Sequence, residues 1–159
     1  MFYGVVQYDD RSELIAIDRD TSSDGGGYTS RSYIWAVQEG LLPIFPKDGI
    51  YQMDNAKIHT SKLTMETLNA LDINILPFPP YSPDLNIIKY IWALLKRKLN
   101  EMYLNLADEG GSEEDRERFI KCAKEAWDAI DQAKIRKLFD SMPRRLKAVR
   151  KAKGWQTKY

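Results

Sequence analysis

The sequence predicts an α/β domain in which a mixed sheet is flanked by helices and the C-terminal end is helical. Three observations lead there. Two short β-rich runs near the N-terminus are separated by a polar pair, a strand, turn, helix and strand follow in alternation, and from Asn86 onward apolar residues recur at helical spacing. With 159 residues and 43% hydrophobic content, the chain has the size of one ordinary domain with a buried core, so a single domain over 1–159 is expected.

The first run, "FYGVVQY", and the second, "ELIAI", flank Asp9 and Asp10 and read as a hairpin. "DRDTSSDGGGYTS" is loop. Its glycines Gly25 to Gly27 could line a phosphate, but no Lys-Ser/Thr pair follows them, and a flexible connector is the better reading. Thr29 or Ser30 can cap a helix through "SYIWAVQEGLL", which Pro43 and Pro46 close. "GIYQMD" is a short strand-like run ending on Asp54, then come "NAKIHT", a helical "SKLTMETLNALD" and a second strand "INIL", an order that implies parallel pairing. "PFPPYSPDL" is neither helix nor central strand, because each proline lacks a donor and restrains the residue before it. It reads as a rigid bridge over the end of the sheet.

From Asn86, the positions Ile87, Ile91, Leu94, Leu95, Leu99 and Met102 put one apolar face on a long helix, with Lys89, Trp92 and Lys96 on another side. After "ADEGGS" a second helix runs roughly from Glu113 to Ile130, with Phe119, Cys122, Ala123, Ala126 and Trp127 as its stripe. Cys122 is then a small buried apolar residue. The tail, about 134–159, holds one acidic residue, Asp140, among many Lys and Arg.

Charge and cysteine content exclude more than they suggest. The 24 Lys and Arg balance 23 Asp and Glu, so the net charge of +1 favours no partner by itself. A single cysteine rules out an internal disulfide framework or a cysteine zinc cluster and fits a reducing compartment. No run approaches membrane-spanning length and no signal peptide is evident, so a soluble, intracellular protein is expected.

Asp54 is the strongest candidate for chemistry, since a carboxylate at a strand end is where open α/β sheets place reactive groups. The plainer reading is an Asp that caps its turn through its side-chain oxygens. His59, the only histidine, has no second His or Cys near it, which makes a helix-entry hydrogen bond the better reading than a metal site. The basic tail could bind phosphates, with Trp155 and Tyr159 to stack on bases, or could simply be a solvated helix face.

Taken together, "MDNAKIHTS", "LPFPPYSPDLN", "YIWALLKRKL" and "SMPRRLKAVRKAKGW" resemble the catalytic domain of a Tc/mariner-superfamily DDE transposase of the fungal type, over essentially the whole chain. The resemblance implies an RNase H-like fold and an endonuclease and strand-transfer chemistry on DNA. That chemistry uses two Mg²⁺ (or Mn²⁺) ions about 4 Å apart, held by three converging acids. It implies DNA as partner, a homodimer as one possible assembly, nuclear location, no membrane and no small-molecule substrate. Asp54 matches the second acid, with Asn55, Ala56 and His59 completing that element, and Asp84 and Asn86 stand in the motif before the third. The third acid is expected after 34 intervening residues; these run from 55 to 88, so its place is taken by Lys89.

Ile87 stands where the pattern puts a proline at the first helical position. The pattern also places its first Asp on a central strand upstream of Met1, Phe2, Tyr3 and Gly4, leaving only Asp9 and Asp10 at a hairpin tip. An N-terminally truncated, degenerate remnant without activity of its own is therefore the expectation, with unpaired sheet edges where the first strand is missing. An ammonium in place of a carboxylate reverses the local field that Mg²⁺ needs, so metal binding is disfavoured. A local reading coexists with this one: with Asn86 as N-cap, Lys89 falls at the third helical position, where Glu would close a capping box. The alternative function is a nucleic-acid-binding or interaction module that uses Lys89, Lys96, Arg97 and Lys98 with Arg144, Arg145, Lys147, Arg150 and Lys151 of the tail. An active enzyme whose first Asp comes from another chain would need a partner to replace two acids.

Overall fold

The computed structural model describes residues 1–80, 82–104, 106, 111–155 and 157–159. Tyr81 of the proline bridge and 107–110 of the "ADEGGS" connector lie outside the described residues. The chain is a mixed, helix-rich α/β fold with small sheets, consistent with an RNase H-like domain. It forms two compact units, one of Met1–Val5 with Arg11–Ser82 and one of Val6–Asp10 with Pro83–Tyr159.

In the first unit β1 (Phe2–Tyr3) pairs antiparallel with β2 (Ile15–Ala16), Phe2 opposite Ala16 and Tyr3 opposite Ile15, which is the predicted hairpin. Its pairing is extended by Ile17 N–H to Met1 O at 2.8 Å and Ser12 N–H to Val5 O at 2.9 Å. Helix α1 (Ser30–Gly40) starts at Thr29, whose hydroxyl accepts from Ser32 N–H in a reciprocal capping box. Gly40 allows a close approach: a Cβ there would lie 3.0 Å from the Tyr3 ring and 3.2 Å from Ile15, so those side chains would have to give by a few tenths of an ångström. Beyond it come β3 (Ile50–Tyr51), the single turn α2 (Lys57–Thr60), α3 (Lys62–Ala70) and β4 (Asn74–Ile75). The parallel pairing of β3 with β4, Tyr51 opposite Ile75, follows the sequence expectation.

Among the described residues the strands form two separate two-stranded sheets, not one mixed sheet. Both are bridged by side chains. Tyr3 of β1 and Tyr33 of α1 each hydrogen-bond the Tyr51 hydroxyl of β3, at 3.1 and 2.9 Å, within a core that also holds Val37, Leu41, Met53 and Leu68. Burial holds all three phenols above their ordinary value of 10.0. A raised phenol pKa means that the folded state keeps protons the unfolded chain releases. The contribution is therefore complete below pH 10.0 and is lost as the pH rises beyond it. Denaturant unfolding followed from about pH 8 to about pH 11 should show stability falling above about pH 10, and Tyr51→Phe should make that fall shallower by about one proton.

The second unit is helical: α4 (Ile88–Met102), α5 (Glu113–Asp128), α6 (Gln132–Asp140) and α7 (Met142–Lys151). Helices α4 and α5 pack through Ile91 and Leu95 on one side and Ala123, Ala126 and Trp127 on the other, with the rings of Trp92 and Trp127 5.6 Å apart. Cys122 is buried, as predicted. Met102 and Phe119, assigned to these buried stripes from their spacing, are instead exposed. Spacing identifies the side of a helix that faces a neighbour, but not how far along the helix that neighbour reaches.

The hairpin tip belongs to this unit as well: Asp9 pairs with Arg136 at 2.9 Å, and Gln132 donates to the carbonyls of Gln7 and Tyr8. No helix among the described residues is long and apolar enough to cross a membrane.

Candidate functional site

Asp54 lies three residues beyond β3, where the chain leaves the strand and turns into α2. Its Oδ1 accepts from Ala56 N–H at 3.2 Å and from His59 Nδ1–H at 2.8 Å, and the same ring nitrogen is 3.2 Å from the Asp54 carbonyl. The histidine is brought within reach because α2 is one turn long, with His59 N–H bonded to Ala56 O. Its other constraint was not legible in the sequence: the Tyr33 ring, from α1, stacks against the imidazole with centroids 4.1 Å apart. Asp54 thus makes the turn-capping bond and His59 the helix-entry bond that their plainer readings foresaw, and each also holds the other.

Asn55 donates from Nδ2 to the Phe78 carbonyl at 3.1 Å and thereby ties the proline bridge to the turn after Asp54. Beside them opens a pocket of about 410 Å³, lined by Met53, Asn55, Thr60, Met65, Phe78 and the flanking prolines.

In the second unit, a 3-10 turn over Pro83–Leu85 runs directly into α4, with Asn86 N–H bonded to Pro83 O at 3.0 Å. The chain is already helical at Ile87 (φ −63°, ψ −22°), so Ile87 and not Asn86 is the N-cap, and no side chain caps the helix. Two expectations are corrected by this one-residue shift. Lys89 is the second helical residue instead of the third, and the capping-box geometry does not arise. Lys89 is exposed, and Asn86 is buried beneath it in sequence.

The Asp84 carboxylate is buried and accepts from the backbone and hydroxyl of Thr157, at 3.0 and 2.7 Å. Nothing in the spacing of the tail announced that bond. Arg145 is likewise no surface cation. It is 3% exposed, donates to Asp84 O at 3.0 Å and Ser141 Oγ at 2.7 Å, and lies between the rings of Tyr90 and Tyr159, 4.3 and 4.7 Å from their centroids. Tyr159 is therefore engaged with Arg145, whereas Trp155 is 81% exposed.

The other tail cations share the outer side of α7. At 100° per residue, Arg144, Lys147, Arg150 and Lys151 fall within one face, opposite Arg145, and all four are exposed with no ion-pair partner among the described residues. On α4, Lys96 and Arg97 are exposed, but Arg97 and Lys98 both reach Glu101 at 3.5 Å.

The donor set does not fit a pair of divalent metal ions. Asp54 supplies one carboxylate, already committed through Oδ1, and no group of three or more His, Cys, Asp or Glu among the described residues could hold a metal.

Residues 43–109 match the family model described as DDE superfamily endonuclease. The chain is 36% identical to the Tc1 transposase of Caenorhabditis elegans over 125 residues, covering 79% of this chain and 41% of that protein. It is 36% identical over 110 residues to the Tcb1 transposase of Caenorhabditis briggsae, covering 69% of this chain and 37% of the relative. A shorter stretch of 69 residues, 38% of this chain, is 49% identical to 10% of the human histone-lysine N-methyltransferase SETMAR. The chain thus spans about two fifths of the length of the transposases it matches.

Proposed function

We propose, from the premise that this chain carries a DDE superfamily endonuclease domain of the Tc/mariner transposase type, that it is a DNA-engaging domain without strand-cleavage activity of its own. One observation carries the loss of activity. An exposed lysine stands on the first turn of α4 at the position that the family pattern reserves for its third acid. The family's Mg²⁺ or Mn²⁺ would supply the charge stabilisation for phosphodiester chemistry, which needs carboxylates converging on the cation. Lys89 offers a cation instead, and Asp54 alone offers one partly committed carboxylate. Its residual role is structural, holding the α2 turn and the His59 ring.

The test is a nicking assay on supercoiled DNA with Mg²⁺ or Mn²⁺. Intact DNA is expected; nicking that disappears in Asp54→Ala would sink the reading.

The exposed face of α7 supports DNA as the partner. Arg144 and Lys151 are seven residues apart, about 10 Å along a helix axis, and so can meet successive phosphates on either side of Lys147. In a salt titration the log of duplex affinity should fall linearly with log salt. Charge reversal of Arg144 and Lys147 together should reduce that slope by about 2. An unchanged slope would remove α7 as the contact face.

A further inference from the structure

Trp155 is a large apolar ring that the fold leaves outside: it is 81% exposed, whereas the other tail aromatic, Tyr159, is packed on Arg145. Its backbone is nonetheless anchored on either side. Before it, Gly154 N–H bonds Val149 O and Trp155 N–H bonds Ala152 O, both at 3.0 Å, so the chain turns off the end of α7 through Lys153 and Gly154. Their φ angles of +53° and +85° are left-handed, a conformation that glycine takes without strain. After it, Thr157 is fastened to Asp84 through its backbone N–H and its hydroxyl. The indole is thus carried on a short tether between two anchors, and little backbone freedom remains to be lost when a partner covers it.

The charge around the ring has one sign. From Ser141 to Tyr159 the chain carries no Asp or Glu, and Arg150, Lys151, Lys153 and Lys158 are exposed. The carboxylate that meets this segment, Asp84, is buried and engaged with Thr157.

We propose that Trp155 stacks on an unpaired base of DNA whose phosphates meet the exposed cations of α7 and of the segment after it. The inference rests on the reading of DNA as partner and deepens it, from charge contact with a duplex to recognition of a single-stranded stretch. Cations alone would be satisfied by any polyanion, and an acidic peptide would answer the charge while leaving the ring unmatched. A duplex keeps its base faces stacked inside, where an indole reaches them only at the cost of unstacking. An unpaired base offers its face without that cost, and stacking on an aromatic ring accepts any of the four bases. A helix lying on a lipid surface would need an apolar stripe beside its cations, and α7 exposes one large apolar side chain, Leu146.

The experiment measures the anisotropy of a labelled duplex with a single-stranded overhang, mixed with the full chain at low salt and without metal. The overhang carries either bases or abasic residues, so the phosphates are the same in both. The overhang with bases should bind about tenfold more tightly than the abasic one. Trp155→Ala should remove that difference and leave the salt slope unchanged. Trp155→Phe should keep part of the difference, and Trp155→Leu, apolar but without an aromatic ring, should keep none.

Equal binding of the two overhangs by a chain that still loses affinity when Arg144 and Lys147 are reversed overturns the stacking role and spares DNA binding. A difference that persists in Trp155→Ala likewise overturns it. Binding to vesicles containing phosphatidylserine that is lost in Trp155→Ala, with no dependence on overhang bases, assigns the ring to a lipid surface and overturns the proposal. If no DNA binds at low salt, the proposed function falls with it.

Discussion

Lys89→Glu should stabilise the protein by about 0.3 to 1 kcal/mol. Lys89 is the second residue of α4, exposed, at the positive end of the helix dipole and in a first turn without a capping side chain or an acidic residue. A carboxylate there replaces an unfavourable charge with a favourable one. Lys89→Gln, which only removes the positive charge, should recover about half of the gain. The differences should shrink at high salt, because the position is solvated. Denaturant melts of the three chains at low and high salt measure the effect; equal stability of all three at low salt would mean that the charge at position 89 does not feel the helix terminus.

How much of this was legible depended on the range of each interaction. The hairpin around Asp9 and Asp10, the parallel β3 and β4 pair, the Thr29 cap and the buried Cys122 follow from local periodicity and turn chemistry, and all are present. The N-cap of α4 was misplaced by one residue because Asn86 has the right side chain for a cap, while Pro83–Leu85 already curls the backbone into the helix. No spacing rule joins Tyr33 to His59, Thr157 to Asp84, or Tyr159 to Arg145, since these contacts cross 26, 73 and 14 positions of chain. They are specified by tertiary packing alone. Among the candidate residues, Asp54, Asn55 and His59 could be grouped from their motif, but the pocket walls beside them come from Met65 and Phe78, which carry no chemical signal of their own.

The contrast between neighbours Arg144 and Arg145 gives the sharpest test of what the fold adds to the sequence. In the sequence they are two members of one basic run; in the structure Arg144 is exposed and Arg145 is buried. Arg145→Ala should destabilise the second unit by about 3 kcal/mol, because it leaves Asp84 O and Ser141 Oγ without their buried donor and empties the gap between Tyr90 and Tyr159. Arg145→Met should recover part of that loss by restoring bulk between the rings while still lacking the two hydrogen bonds. Arg144→Ala should change stability by less than about 0.5 kcal/mol, since its side chain is solvated. The order reverses for DNA: Arg144→Ala should lower the salt slope by about one unit, whereas Arg145→Met, where folded, should leave it unchanged. Denaturant melts and salt titrations on the same three variants measure both orders. Equal stability of the two alanine variants would mean that Arg145 is not the buried clasp of Asp84 and the tail, and equal slopes would mean that the exposed face of α7 does not select which cations meet phosphate.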